Sequence, residues 1–162
     1  MVSLSDPLVQ ALLHGRYIAS LGTHNPDGSI HLTAVWFVFD GAHLYVATSS
    51  RSRKGRNLQA RPEASLMVDA RDPVASRGVS CAGTVQILTD ELSREWNGRI
   101  HRRYLSEAAL ADPRVGPVFT AWDDITIQLK PSSVVAWDMR EADRTVFGGA
   151  MSTPGYLLPQ ER

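Results

Sequence analysis

The chain has 162 residues, 43% of them hydrophobic, with seventeen basic residues against seventeen acidic ones and a formal net charge of zero. This length suits one domain with a substantial core, and the balanced charge excludes a surface coated in positive potential for indiscriminate nucleic-acid binding, so any basic patch is local. The single cysteine, Cys81, excludes an internal disulfide and a cysteine-cluster metal site, and reads as a small buried apolar residue.

Asp6-Pro7 followed by LVQALLHG predicts a short capped helix: Asp6 can accept from an orphan amide, Pro7 suits the first helical position and Gly15 can end it. The period then changes to that of strands. Arg16 to His24 and Ser29 to Asp40 are β-rich runs separated by the turn cluster NPDG, with Pro26 preset for the bend and Gly28 free to take positive φ. Asp40-Gly41 makes the next turn into a third strand, Ala42 to Ser50, with Leu44, Val46 and Thr48 on one face and His43 and Tyr45 on the other. Together these runs predict a three-strand meander.

Arg53 to Arg61 predicts a two-turn helix stopped by Pro62, after which EASLMVDAR returns to strand character. Arg77 to Leu88 predicts the fifth strand, where Gly78 and Gly83 suggest a bulge, a bend or a close approach to the backbone. Thr89 to Leu105 reads as an amphipathic helix opened by a Thr or Asp cap and closed by Arg99, Arg102 and Arg103. A shorter helix follows, then one long strand from about Asp123 to Met139, interrupted near Pro131.

Residues 1–139 thus predict a single domain: six strands with short helices, mainly β in an α+β arrangement, favouring an antiparallel barrel over an alternating α/β sheet. The tail, residues 140–162, shows little periodicity and is expected to be irregular or to lie on a partner subunit. The apolar runs are far shorter than the roughly 20 residues that span a bilayer, and MVSLSDP lacks a basic flank with an apolar stretch, so a cytoplasmic protein with no membrane partner is expected.

Against this neutral background, SSRSRKGRNLQARP packs Arg51, Arg53, Lys54, Arg56 and Arg61 between Ser49 and Pro62. Such a run is most often a solvated face. Here it occupies a strand-to-helix corner, where free amides and the helix dipole add to guanidinium groups in binding an anion. The run holds no aromatic residue for stacking, which argues against a single-stranded nucleic-acid partner.

The order Thr48, Ser52-Arg53-Lys54, Leu58, Pro62 and then the strand ASLMV resembles the pyridoxamine 5'-phosphate oxidase-like, flavin-binding split β-barrels. The resemblance extends to the short N-terminal helix, the NPDG hairpin, TAVWFVFDG, the later long helix and a last strand ending in Trp. It implies a homodimer with the cofactor in a groove between subunits. Arg53 and Lys54 would then be phosphate ligands, and Thr48 and Ser52 hydroxyl donors to the same group, with Ser50, Asn57 and Arg77 also in the cofactor-binding set.

The same resemblance places the segment from Thr33 to Trp36 along the cofactor ring, making Val35 and Trp36 ring contacts, although Trp36 read alone is core packing. Gly78 and Val79 correspond to the fifth-strand position that approaches the ring, with glycine where the family often has glutamine.

KGRNLQARPEASLMVDARD looks most like the branch that uses the deazaflavin coenzyme F-420, with flavin mononucleotide the alternative. The deazaflavin coenzyme carries a phosphodiester and a polyglutamate tail, which would employ Arg51, Arg56 and Arg77 as well. Only Lys54 and Lys130 are lysines, a bias typical of GC-rich genomes that points the same way.

The implied reaction is hydride transfer to or from a conjugated small organic substrate, the chemistry belonging to the cofactor. No catalytic acid stands out: Tyr45, His31 and His101 are candidates without a partner at defined spacing. The alternative function is a non-catalytic coenzyme carrier or redox sensor. WDMREADRTVFGG replaces the C-terminal arginine signature of the vitamin B6 oxidase, and the five scattered histidines offer no haem motif.

Overall fold

The Asp6 carboxylate accepts from the amides of Leu8 at 2.9 Å and Val9 at 3.3 Å and so opens α1 (Pro7–His14), as its sequence predicts. This is seen in a computed structural model that describes residues 2–70 and 76–158. Val9, Leu12 and Leu13 recur on one face of α1, are at most 1% exposed, and pack the helix into the core against the sheet.

The strands are β1 (Ala19–His24), β2 (Ile30–Val35), β3 (Val38–Phe39) and β4 (Leu44–Thr48), then β5 (Glu63–Ala70), β6 (Arg77–Leu88) and β7 (Ile125–Asp138). They form one antiparallel sheet in the order β2-β1-β5-β6-β7-β4-β3. Both expected turns form: Gly28 takes φ 85° in NPDG and Gly41 takes φ 102° after Asp40.

Two expectations need correction. There are seven strands rather than six, because the run from Ser29 to Asp40 breaks at Trp36-Phe37 into β2 and β3. The three-strand meander does not form either: β4 pairs with β3 and with β7, while β2 pairs with β1. β2 and β3 lie at opposite ends of the strand order although only two residues separate them, so the sheet must curl until its edges meet. Phe37, wholly buried at that junction, contributes roughly 1.5–3 kcal/mol by its burial.

The two conspicuous glycines of β6 serve close approach. A Cβ on Gly78 would lie 2.1 Å from the ring of Trp137, its partner across the ladder, and one on Gly83 would lie 2.0 Å from the Lys130 carbonyl. The register between β6 and β7 shifts between Ala82 and Gly83, beside Pro131, so the expected bulge is present without ending β7.

The helices are α2 (Arg53–Ala60), α3 (Asp90–Tyr104), α4 (Glu107–Ala111), α5 (Gly116–Trp122) and α6 (Met139–Val146). Thr89 precedes α3 with no side-chain cap; its hydroxyl bonds to Asp90 instead. Arg103, at the other end, donates to the carbonyls of Leu13, His14 and Gly15 and so caps α1.

Residues 140–146, expected to be irregular, belong to α6, which is followed by a 3-10 turn at Ala150–Ser152. The Asp138 side chain caps α6 at the Arg140 amide, and the buried Asp143 accepts from the Met151 amide at 2.9 Å and the Ser152 hydroxyl at 2.6 Å. These polar ties replace the apolar period that the sequence lacks. No helix among the described residues is long and apolar enough to cross a membrane.

Candidate functional site

The basic corner is built on its small residues. The Ser52 hydroxyl accepts from the Gly55 amide at 3.1 Å, capping α2, and donates to the Ser49 carbonyl at 2.7 Å. The buried Thr48 hydroxyl lies 3.2 Å from it. A Cβ on Gly55 would sit 2.4 Å from the Ser49 carbonyl oxygen, so only glycine lets the helix press against the strand exit this closely. Ser50 donates through both its amide and its hydroxyl to Asp124, each at 2.6 Å, and these bonds hold the Asp124 carboxyl below its usual range. Helical geometry gives the Arg53 and Lys54 amides no acceptor within α2.

Beyond the corner, two concavities open on either side of α2. The first, about 290 Å³, is lined by Ile18, Ala34, Val35, Trp36, Ala47, Lys54, Ile100, Phe119 and Asp123. Trp36 stacks on Tyr104 with ring centroids 5.1 Å apart and planes 2° from parallel, and on Phe119 at 5.3 Å. The Tyr104 hydroxyl donates to the Tyr17 carbonyl at 2.6 Å, which fixes the stack. Trp36 is therefore both packed and a cavity wall.

Lys54 enters this apolar space half-buried. Burial pulls its ammonium below the usual 10.5, while the negative charge of Asp123 acts in the opposite direction. Asp123 in turn lies 2.8 Å from Nε2 of His101, whose side chain is 6% exposed. A carboxylate only accepts, so that nitrogen carries the hydrogen.

The second concavity, about 650 Å³, lies between α2 and the β1–β2 hairpin and is lined by His24, Asn25, Pro26, Asp27, Gly28, Arg53, Arg56, Asn57, Ala60 and Arg61. The Asn57 amide donates to the Thr23 hydroxyl at 3.1 Å and to the Asn25 side-chain oxygen at 3.0 Å, tying helix to hairpin. Arg61 pairs with Glu63 at 2.8 Å, and Arg56 donates to the Arg51 carbonyl.

Of the predicted residues, then, Val35, Trp36 and Lys54 meet in one cavity, Arg53 and Asn57 line the other, and Thr48, Ser50 and Ser52 form the corner between them. Thr33 is half-buried on β2 opposite Leu21. Arg77, Gly78 and Val79 line neither concavity. Val79 is wholly buried in the core, Gly78 lies under Trp137, and Arg77 faces Asp138, adding to the stronger pull of Arg140 on that carboxyl.

Among the acid candidates, Tyr45 donates to Asp40 at 2.8 Å, accepts from Gln128 at 3.0 Å and stacks on Trp96. His31 sits on β2 opposite Thr23. Only His101 touches a cavity residue directly by hydrogen bond. Sequence reading passed over Asp123, Asp124 and Phe119; the signal for the first two was a pair of adjacent acids at the head of an apolar strand.

A family model described as "Pyridoxamine 5'-phosphate oxidase" matches residues 5–128. The chain belongs to the pyridoxamine 5'-phosphate oxidase family. The match covers α1 through the first residues of β7, and so includes both concavities and the residues that line them. No curated protein matches the chain in sequence.

Among solved structures, a conserved hypothetical protein of Mycobacterium tuberculosis is 20% identical with a TM-score of 0.72, covering 99% of this chain and 95% of its own. A protein named F420 reductase is 24% identical with a TM-score of 0.63, over 78% of this chain and 94% of its own. The haem storage protein HutZ of Vibrio cholerae is 17% identical with a TM-score of 0.62, over 80% and 92%. Differently named proteins thus share this fold.

Proposed function

We propose that the chain is an oxidoreductase that binds a flavin-type coenzyme, deazaflavin F-420 in preference to flavin mononucleotide, and transfers hydride to or from a conjugated small organic substrate. The observation that carries this reading is the half-buried Lys54 set among Val35, Trp36 and Phe119 at the start of a helix, in a chain of this family. At about 290 Å³ the cavity sits at the small end of the roughly 300–1,000 Å³ of ligand pockets, which suits a planar ring rather than a whole coenzyme.

When bound, the coenzyme supplies the hydride chemistry. The chain's own residues do the holding. Lys54 would meet an anionic group, Trp36 and Phe119 would fix the ring plane and exclude water, and the corner of Thr48, Ser50 and Ser52 would set the position of α2. Arg53 and Arg56, on the hairpin side, would meet negative charge that extends beyond the cavity. This second set of cations favours the more highly charged deazaflavin coenzyme, and the fold shared with a protein named F420 reductase supports that choice.

Titration of the purified protein with each coenzyme tests the reading. Deazaflavin coenzyme is expected to bind more tightly than flavin mononucleotide, and Lys54→Ala to cost about 10- to 100-fold in affinity, as for a charge-assisted bond. Arg53→Ala is expected to cost less. Equal affinity of wild type and both variants rejects the site; tight binding of flavin mononucleotide alone rejects the choice of coenzyme.

We further propose that the chain works as a homodimer through the outer face of β1, β2 and β5. Ile30 is 54% and Leu32 69% exposed there, beside Met67 and Ala82 in an open groove of about 670 Å³. Sedimentation of the purified chain as a monomer would reject this.

A further inference from the structure

Asp123 and Lys54 line the same cavity, one at the head of β7 and the other at the start of α2, 69 residues apart in sequence. Asp123 is also the carboxylate that His101 of α3 holds at 2.8 Å, and its own backbone carbonyl accepts from the Asn97 side chain at 2.7 Å. Three elements therefore converge on one acidic group. His101, Asn97 and Asp123 are all largely buried, and an ionised carboxylate taken out of water is retained only with partners that satisfy it.

The His101 hydrogen bond satisfies one side of that carboxylate and sets its direction. The ammonium that shares its cavity is Lys54. Among the described residues that line the cavity the other walls carry no charge: β2 contributes Ala34 and Val35, the link after it Trp36, β4 Ala47, α3 Ile100 and α5 Phe119, and the residue before β1 is Ile18. The neighbouring charges are already committed, with Asp124 bonded to Ser50 and Arg53 facing the hairpin.

We propose that Asp123 is a positioning residue that keeps Lys54 protonated and aimed into the cavity, with His101 fixing Asp123 in turn. Towards the coenzyme this rests on the functional reading above; the coupling of the two side chains does not. Burial by itself disfavours the charged amine, and the Asp123 carboxylate acts against that, preserving the charge an anion ligand needs. The His101–Asp123 pair holds a carboxylate on the wall of the cavity that Lys54 enters.

The composition makes the test direct, because Lys54 and Lys130 are the only lysines in the chain. In protein labelled with ¹³C-lysine, the two side chains titrate as two resolvable sets of signals, with Lys130 as internal control. Asp123→Asn is expected to lower the Lys54 midpoint by about one pH unit, the effect of removing a nearby opposite charge, and Asp123→Glu to restore most of it. Lys130 stays in place throughout. Asp123→Ser, which keeps a hydroxyl acceptor for His101, gives the same reading should the amide disturb folding.

An unchanged Lys54 midpoint in the folded Asn or Ser variant overturns the proposal. A structural role alone would lower the unfolding temperature and leave that titration where it was. Deazaflavin titrations of the same proteins separate the two readings: if wild type binds no coenzyme while the Lys54 midpoint still falls in Asp123→Asn, the functional reading fails and the coupling stands.

Discussion

Lys54 and Arg53 are adjacent in a single basic run, yet the roughly 100° between successive helical residues sends them to different surroundings. Lys54 lies among aromatic and aliphatic walls with Asp123 nearby, while Arg53 joins Arg56 and Arg61 in a polar groove beside the hairpin. The difference teaches that a run of like charges need not make one patch. Lys54 is half-buried and Arg53 exposed, and a cation partly withdrawn from water costs more to keep charged and binds an anion more strongly than one in full contact with it.

The two sides share one hinge, so the change expected to do most damage is Gly55→Ala. The new methyl would meet the Ser49 and Ser50 carbonyls at 2.4 and 3.0 Å, and neither can yield without moving the corner. Overpacking of this kind costs about 1–3 kcal/mol, more than the roughly 1 kcal/mol that alanine gains over glycine within a helix. A lower urea midpoint and weakened coenzyme binding are expected together. Wild-type stability would mean that the corner is not pinned at this glycine.

Asn57→Ala sharpens the comparison by acting on one side alone. It removes the bonds to Thr23 and Asn25 and leaves the buried Thr23 hydroxyl and the half-buried Asn25 side-chain carbonyl each short of a donor, at a cost of about 1–2 kcal/mol. The Lys54 titration is expected not to move. If it does move, the two concavities are coupled through α2.

The smallest expected effect is a pH dependence. The Lys54 amine titrates below 10.5 when folded, so between its folded midpoint and 10.5 the unfolded chain binds more protons than the folded one. This component of stability therefore rises with pH across that window. Denaturant midpoints of wild type and Lys54→Met, compared across it, should converge as pH rises; parallel curves would mean that burial exacts nothing from this amine.

The elements that local chemistry specifies were legible from the residues alone. Asp6 and Pro7 announced α1, NPDG and Asp40-Gly41 announced their turns, and Pro62 marked where α2 stops. The pairing of strands was not legible, because the alternation of Leu44, Val46 and Thr48 says which face is buried and nothing about which strand lies alongside. α6 escaped notice because it is held by Asp138 and Asp143 rather than by an apolar stripe.

At the site, Val35, Trp36 and Lys54 were named in advance from family resemblance. Asp123 and His101 became partners only once α3 had packed against β7. Twenty-two residues separate them, and no local periodicity reaches that far.

The short link between β2 and β3 has a kinetic consequence. The β1–β2 and β3–β4 hairpins can each form early from near neighbours, but the edges that Trp36 and Phe37 join are brought together only after β4 has found β7, with Leu44 opposite Leu129. The seam is therefore expected to close last and to part first, and the Phe37 amide to exchange with solvent faster than amides in the middle of β6. Equal exchange would mean that the curled sheet opens as one unit. Because Val35 and Trp36 line the cavity, the breathing of that seam would meter how quickly any occupant enters and leaves.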